Sequence, residues 1–331
     1  TRTYSNEVIA SLDLSDQRRL LPPMIDGASE SQPLCQQAAS AIGLPEGLPV
    51  ILGYVDIICT ALGAGLYDPV HETGCTIVGS TGVHMGLARS INDVRLNSAR
   101  TGYTMPMPVP GVSAQIQTNM ASTLNIDWLL DMAVDLVRPY SQGIERSDLI
   151  NRIDDWIRES EPGSLIFHPY ISDAGERGPF IDVTARASFI GLSTRHGFAE
   201  LVRAVVEGLA FAARDCYSVM GRIPDEIRLT GGAARSSALR EIFGSALGTV
   251  LRTTDRQEAG AAGAAMMAAV NIGHFESMDQ CVDTWVQPLL GPAESVNTEL
   301  HELYVHGFDN YIAAREALVP VWHAQAGESL Q

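Results

Sequence analysis

A strand, a pair of glycines and a helix follow one another over residues 226–251, and this segment constrains the fold more than any other. In EIRLTGGAARSSALREIFGSALGTVL an apolar strand ends just before Gly231 and Gly232, which form a turn without side chains. Ser236 or Ser237 can cap the helix that follows. The free N–H groups and the positive dipole end of such a helix suit a phosphate group or the polar edge of a nucleotide. The alternative is an ordinary strand-to-helix turn in which glycine supplies a positive φ.

A second glycine-containing turn lies in TIVGSTGVHMGLA, where β-branched residues flank Gly79, Ser80, Thr81 and Gly82. This arrangement predicts a β-hairpin. The hydroxyl and amide groups of the turn can face a phosphate group. A plain hairpin turn is the alternative.

Asp56 stands between the apolar segment PVILGYV, which predicts a short buried strand, and IICTALGAG, which predicts a helix. A carboxylate at a buried or half-buried position needs a partner or a function, because unpaired charge is costly away from water. Asp56 can cap the helix, or it can accept a proton from a substrate hydroxyl group. Both interpretations stay open on this residue alone.

The composition narrows the class of protein. The chain has 331 residues, of which 46% are hydrophobic, enough for two domains or for one domain and part of another. Its formal net charge of −17 argues against nucleic acid or a membrane surface as a partner. All 22 basic residues are arginine, so the chain has no P-loop lysine and no Schiff-base lysine. Because it begins at Thr1 rather than Met, we expect a natural N-terminal part to be missing.

Motifs for metal, redox and hydrolytic chemistry are lacking in the sequence. The five cysteines form no C-x-x-C pair, and the eight histidines show no H-x-x-x-H or H-E-x-x-H spacing. We therefore expect no metal held by protein ligands, and buried cysteines in a reducing cytoplasm. G-x-S-x-G is absent, which argues against a serine hydrolase. GAGLYD at 63–68 ends a predicted helix rather than opening one, so a dinucleotide-dependent oxidoreductase has little support.

The rest of the chain alternates between helix and strand, which indicates an α/β protein. Predicted helices cover residues 33–44, 57–65, 122–137, 154–157, 196–220, 258–272 and 297–318. A second strand-containing segment runs from 164 to 180 and ends in a loop rich in glycine and proline. In that loop, Glu176 and Arg177 are expected to form a local salt bridge.

These segments occur in an order that resembles the FGGY family of carbohydrate kinases, whose ATP-dependent members phosphorylate glycerol, other polyols and pentuloses. The resemblance runs through nearly the whole chain. LPVILGYVDIICTALGAG resembles the segment that carries the catalytic aspartate of the family, which implies that role for Asp56. PYISDAGERGPFIDVTARASFIGL resembles a connector of the family, and EAGAAGAAMMAAVNIGHF resembles the small-residue helix beside the nucleotide.

The same resemblance assigns the ATP phosphates to the predicted hairpin. TIVGSTGVHMG is similar to the phosphate-binding hairpin of the family, so Gly79, Ser80, Thr81 and Gly82 are implied to bind them. The family usually has Gly-Thr-Ser or Gly-Thr-Gly there, so the hydroxyl groups of this chain are displaced by one position.

The adenosine side is implied by LTGGAARSSALREIFGSALGTVL, which is similar to the adenosine segment and places Gly231, Gly232 and Ser236 near the nucleotide. QIQTNMASTLNIDWLLD differs from the glycine-containing version in glycerol and xylulose kinases, because Thr123 and Asn125 stand in its place. We expect these two residues in the nucleotide cleft. The difference favours a polyol kinase, such as one for erythritol.

The fold that the resemblance implies is the two-domain, actin-like ATPase (ribonuclease H-like) fold, with sugar and ATP meeting between the domains. Residues 1–67 would be the end of the sugar-binding N-terminal domain and would contain the catalytic aspartate. Residues 68–331 would be the ATP-binding domain. The Asp-Gly phosphate loop that opens the family's first domain is not found here. We therefore expect the second domain to be essentially complete and the first to be mostly missing.

The activity that the resemblance implies is ATP-dependent phosphorylation of a primary hydroxyl group of a sugar or polyol, with Mg²⁺ bridging the phosphates. We further expect a cytoplasmic homodimer or other homo-oligomer. A nucleotide-binding fragment, or a degenerate kinase with a regulatory or scaffolding role and no turnover, is the alternative.

Overall fold

The computed structural model describes residues 3–140, 143–254 and 256–327. The strands are β1 (Ser31–Pro33), β2 (Pro49–Ile51), β3 (Thr73–Val78), β4 (Gly82–Ala88), β5 (Tyr103–Pro106), β6 (Ser113–Asn119), β7 (Ile166–His168), β8 (Ser188–Ile190), β9 (Glu226–Thr230) and β10 (Val250–Thr253). The α-helices are α1 (Asn6–Ser11), α2 (Gln36–Ile42), α3 (Asp56–Gly63), α4 (Thr123–Val137), α5 (Arg146–Ile150), α6 (Ile153–Glu159), α7 (Phe198–Val219), α8 (Ser237–Leu247), α9 (Ala259–Asn271), α10 (Met278–Trp285) and α11 (Thr298–Gln325).

A six-stranded mixed sheet with the order β10-β9-β3-β4-β6-β5 forms the centre of the fold. β10, β9 and β3 run parallel, whereas β4, β6 and β5 extend the sheet through antiparallel pairs. Helix α8 joins the parallel strands β9 and β10, as a parallel connection requires. The α/β class and the β3–β4 hairpin are therefore confirmed.

Helices cover both faces of this sheet. On one face, α4, α6, α7, α8 and α11 share a hydrophobic core, in which Val206 and Phe243 are almost completely buried. On the other face, α3, α9 and α10 form a second core around Leu62 and Met266. Because side chains alternate along a strand, β3 contributes Val78 to the first core and residues such as Cys75 to the second. The ends of the strands are thereby held rigidly.

Helices α3 and α9 approach until their backbones touch. A β-carbon at Gly63 would lie 1.9 Å from the carbonyl oxygen of Ala259, and one at Gly263 would lie 1.9 Å from that of Cys59. Only glycine fits at either position, so the small-residue composition of α9 has a direct packing reason. The contact fixes α3, and with it Asp56 at its first turn, against α9.

The N-terminal strands differ from expectation. Among the described residues, β2 pairs only with β1, in a separate two-stranded sheet. Val50 is 46% exposed, so the prediction of a buried strand is wrong. The last helix also continues past residue 318 and through Pro320. Four cysteines are buried as expected, whereas Cys35 is exposed.

Among the residues that the structure describes, no helix is both long enough and apolar enough to span a membrane.

Candidate active site

The turn of the β3–β4 hairpin exposes its amide groups. The carbonyl group of Gly79 accepts a hydrogen bond of 2.9 Å from the N–H of Thr123, and the carbonyl group of Ser80 accepts one of 2.8 Å from the N–H of Ser122. Helix α4 therefore holds the carbonyl side of the turn. The N–H groups of Ser80 and Thr81 meet no acceptor among the described residues. Free amides of a turn of this kind form a binding site for an anion.

The glycine turn after β9 lies directly beside the end of β3. Ile77 and Thr230 are partners in the parallel pairing, so the two strands end together. Gly231 has φ of 102°, and a β-carbon there would lie 2.4 Å from the carbonyl oxygen of Val78. Gly232 follows, exposed, with open space where a β-carbon would project. The two predicted ligand-binding turns are thus neighbours in the structure.

A large open cleft of about 1060 Å³ begins at this junction. Its walls come from the ends of β3, β9 and β10, from the start of α9, from Thr60 of α3 and from the short 3-10 turn Gly232–Arg235. Lining residues are Thr60, Ile77, Thr230, Gly231, Gly232, Ala234, Arg235, Arg240, Thr253, Thr254, Arg256, Gln257, Glu258, Ala259, Gly260, Pro292 and Glu294. The cleft has the size of a nucleotide-binding site.

Asp56 lies at the first turn of α3 and is exposed, not half-buried. Its Oδ1 accepts a hydrogen bond of 2.7 Å from the N–H of Ile57. Residues four apart lie on the same side of a helix, so the carboxylate of Asp56 is one turn from Thr60, which lines the cleft. An exposed carboxylate on that face is accessible to a hydroxyl substrate.

Ser236 caps α8, as the sequence predicts. Its Oγ accepts a hydrogen bond of 3.0 Å from the N–H of Leu239 and donates one to Asp154. Burial acts to raise the pKa of Asp154, but hydrogen bonds from Ser236, Ser237 and the N–H of Ala238 outweigh it and hold the pKa below its ordinary value. The hydroxyl group of Ser236 is therefore occupied within the protein.

Thr123 and Asn125 lie in the first turn of α4, behind the hairpin. Asn125 is completely buried, and its Nδ2 donates a hydrogen bond of 3.0 Å to the carbonyl oxygen of Ser122. Its Oδ1 has no partner among the described residues. The structure brings both residues to the hairpin turn, with Thr123 bound to it directly.

A buried polar network supports the hairpin from behind, and sequence reasoning missed it. Nε2 of His84 lies 2.9 Å from Oδ1 of Asn119, and Nδ2 of Asn119 donates a hydrogen bond of 2.7 Å to the carbonyl oxygen of Gly178. Burial lowers the pKa of His84 to about 4, so the ring is neutral at pH 7. Asn119 is the strand partner of Gly82, which links this network to the turn.

The loop 174–179 belongs to the same network. Oε1 of Glu176 accepts hydrogen bonds of 2.8 Å from the N–H groups of Met120 and Arg177, and the Nε of Arg177 donates one of 3.0 Å to Oγ1 of Thr118. The predicted Glu176–Arg177 salt bridge is wrong, because each side chain has a different partner. Burial raises the pKa of Glu176 to about 7. The adjacent acid and base were visible in the sequence, but their partners are distant in the chain.

Known proteins resemble the chain along most of its length. Residues 74–272 match the FGGY family of carbohydrate kinases, C-terminal domain. Over 322 residues the chain is 52% identical to erythritol kinase of Brucella abortus (strain 2308), an alignment that covers 97% of this chain and 62% of that protein. The chain thus spans less than two thirds of the length of this relative.

Two solved structures show the fold. The structure of ligand-bound xylulose kinase from Lactobacillus acidophilus matches with a TM-score of 0.83 at 21% identity, over 97% of this chain and 62% of that one. Plasmodium falciparum glycerol kinase with ADP matches with a TM-score of 0.73 at 14% identity, over 95% and 60%. The predicted actin-like ATPase (ribonuclease H-like) fold is confirmed, and the chain belongs to the FGGY family of carbohydrate kinases.

Proposed function

We propose that the protein transfers the γ-phosphoryl group of ATP to a primary hydroxyl group of a sugar or polyol. The observation that carries this proposal is the cleft lined by Gly231 and Gly232, because Gly231 packs against Val78 at the end of the strand that leads into the Gly79–Gly82 turn. The free amides of Ser80 and Thr81 suit phosphate oxygens, and Gly231 and Gly232 leave room for a ligand against the backbone. The chain belongs to a family of carbohydrate kinases, which supports phosphoryl transfer as the reaction at this place.

In this proposal the turn from Gly79 to Gly82 binds the β- and γ-phosphates. Its amides are already fixed by the bonds between the Gly79 and Ser80 carbonyl groups and the start of α4, so little conformational freedom is lost when ATP binds. Gly231, Gly232 and the backbone at Ser236 contact the adenosine. Thr123 and Asn125 complete the wall behind the phosphates.

Asp56 is the proposed catalytic residue. The oxygen of the substrate hydroxyl group forms a new bond to the γ-phosphorus while the bond from that phosphorus to the β,γ-bridging oxygen breaks. The hydroxyl proton passes to the carboxylate of Asp56, and the products are a phosphate ester and ADP. Because phosphoryl transfer has a loose transition state, orientation and charge neutralisation matter more than the strength of the base.

ATP is expected to bind together with Mg²⁺. Within the described residues, no group of three or more His, Cys, Asp or Glu side chains could hold a metal ion. Proteins commonly hold Mg²⁺ through one or two carboxylates, water and the phosphates of the nucleotide, so a cluster of three protein ligands is not required. When bound, the ion would neutralise phosphate charge.

For the acceptor we propose a small polyol of the erythritol type ahead of a pentulose or glycerol. The 52% identity to an erythritol kinase supports this choice. We also retain the division into residues 1–67 and 68–331, with the first part ending the sugar-binding domain. The cytoplasmic location and the homo-oligomer stay predictions.

Two measurements on the intact protein test the proposal. Calorimetric titration with Mg-ATP measures nucleotide binding, and a coupled assay of ADP release with a panel of polyols and pentuloses measures turnover. We expect binding in the micromolar to millimolar range typical of enzyme substrates, and release of ADP that depends on one of the polyols. Binding without release for every acceptor would instead support a regulatory nucleotide-binding protein.

A further inference from the structure

We infer that Arg177 is a further catalytic residue, whose guanidinium group contacts the phosphoryl group during transfer and the phosphate ester that results. The inference deepens the proposed function and rests on it. Arg177 lies in the loop 174–179, whose predicted role was a local salt bridge. The structure frees it from that role, because Glu176 binds backbone N–H groups instead.

The register of the sheet places Thr118, which binds Arg177, on the same face as Ile77 of the cleft. Ile77 pairs with Val83, and Val83 pairs with Thr118, so these three side chains form a row across β3, β4 and β6. Ile77 lines the cleft. Thr118 holds the Nε of Arg177 at 3.0 Å. With strands about 4.8 Å apart, Thr118 lies one strand spacing from Val83, the residue that follows the turn at Gly82, and about two from Ile77. The guanidinium group held by Thr118 is therefore on the side of the proposed phosphate-binding turn.

The side chain of Arg177 is held at its inner end and open at its outer end. Its backbone N–H is bound by the buried Glu176, and its Nε by Thr118. The residue is exposed, and its two Nη groups bind no acceptor within the described residues. A guanidinium group fixed in this way presents a planar pair of donors, which matches two oxygens of a phosphoryl group.

The three arginines that line the cleft are less suited to this role than Arg177. Arg240 is bound to Glu294 at 2.8 Å, and Arg256 donates to the carbonyl oxygen of Trp285. Arg235 is unpaired in the described structure, but it follows the Gly231–Gly232 turn on the adenosine side of β9. A polyol is neutral, so it has no charge for an arginine to neutralise. The transferring phosphoryl group is negatively charged, and Arg177 lies on the β4–β6 side of the turn that binds this group.

The test compares four variants of the intact protein with the wild type. Arg177→Gln is expected to lower kcat by about 100-fold, as the loss of a transition-state donor does, while the Kd for ADP changes less than about threefold. Aluminium fluoride, which mimics the phosphoryl group in transfer, should tighten ADP binding in the wild type and not in this variant. Arg177→Lys should recover part of the loss, because it keeps the charge but not the fork.

Thr118→Val removes the acceptor of the Nε without changing the volume, and we expect a fall in kcat of about tenfold from the lost orientation. Arg138→Gln, at an exposed position at the end of α4, is the charge-matched control and should leave kcat unchanged. Suppose that the wild type turns over. If the kcat of Arg177→Gln then stays within threefold of the wild-type value, or if the variant loses ADP affinity to the same extent as kcat, the assignment of Arg177 is overturned while the proposed function stands. A wild type without turnover overturns it together with the proposed function.

Discussion

Gly231 lies against the carbonyl group of Val78, so close that a β-carbon at residue 231 would be 2.4 Å from that oxygen. This contact joins the end of β9 to the hairpin turn that follows β3. Because Gly231 also has φ of 102°, an L-residue there would be strained as well as crowded. The relationship makes glycine necessary for packing at the same point where we propose that the nucleotide binds.

Gly231→Ala should therefore destabilise the protein by about 2 kcal/mol or more and weaken nucleotide binding. Gly232→Ala is the matched control for stability, because a β-carbon there would meet no atom within 4 Å. Thermal unfolding of both variants measures the difference. Equal melting temperatures for the two variants would show that the Val78 contact does not constrain the turn.

Asp56→Asn should abolish turnover, with a loss of about 100-fold or more, and leave the Kd for Mg-ATP nearly unchanged. The carboxylate is exposed, so the free energy of unfolding should change by less than about 0.5 kcal/mol. Asp283→Asn, on the exposed side of α10, carries the same change of charge and should be fully active. Near-normal kcat in Asp56→Asn would remove this residue from the catalytic role.

The close packing of α3 on α9 predicts a large effect of a single methyl group. Gly263→Ala would place its β-carbon 1.9 Å from the carbonyl oxygen of Cys59, so the helices must move apart, at a cost of about 1–3 kcal/mol. Because Asp56 begins α3, kcat should fall as well. Gly86→Ala, in open space on β4, is the control and should not lower the melting temperature.

The buried carboxyl group of Glu176 should make the stability of the protein depend on pH. Burial raises its pKa to about 7 in the folded protein, above the ordinary value of 4.5, so the folded state binds a proton that the unfolded state has released. The contribution to stability is complete below about pH 4.5 and is lost as the pH rises through about 7, a loss of roughly 3 kcal/mol at most.

Glu176→Gln removes that titration. The difference in free energy of unfolding between wild type and Glu176→Gln should therefore shift in favour of the variant between pH 5 and pH 8. Denaturant unfolding at several pH values measures it. A difference that stays constant over this range would mean that Glu176 is ionised in the folded protein throughout.

Local features of the fold could be predicted from the sequence because their causes are local. The hairpin around Gly79 and Gly82 follows from flanking β-branched residues, and Ser236 caps α8 through a bond to a residue three positions away. Periodic apolar residues likewise predicted α7, whose observed bounds are Phe198–Val219. Order along the chain then allowed the family to be recognised.

Other features depend on contacts between distant residues and could not be predicted. The partner of Arg177 is Thr118, on a strand far earlier in the chain, and Glu176 binds the N–H of Met120. The apolar composition around Val50 indicated burial, but in the part of the chain that the structure describes β2 has only β1 as a strand partner, and Val50 stays exposed. Neither the neighbouring charges nor the apolar run contains information about what packs against it.

The most direct test of the account is to identify the products that the intact protein forms from Mg-ATP and erythritol. Phosphorus NMR resolves ADP, inorganic phosphate and a phosphate monoester on a primary carbon in one spectrum. We predict ADP and the monoester in equal amounts from the wild type, and neither from Asp56→Asn. Formation of ADP with inorganic phosphate only, or no phosphate ester from any sugar or polyol although ADP binds, would contradict the account.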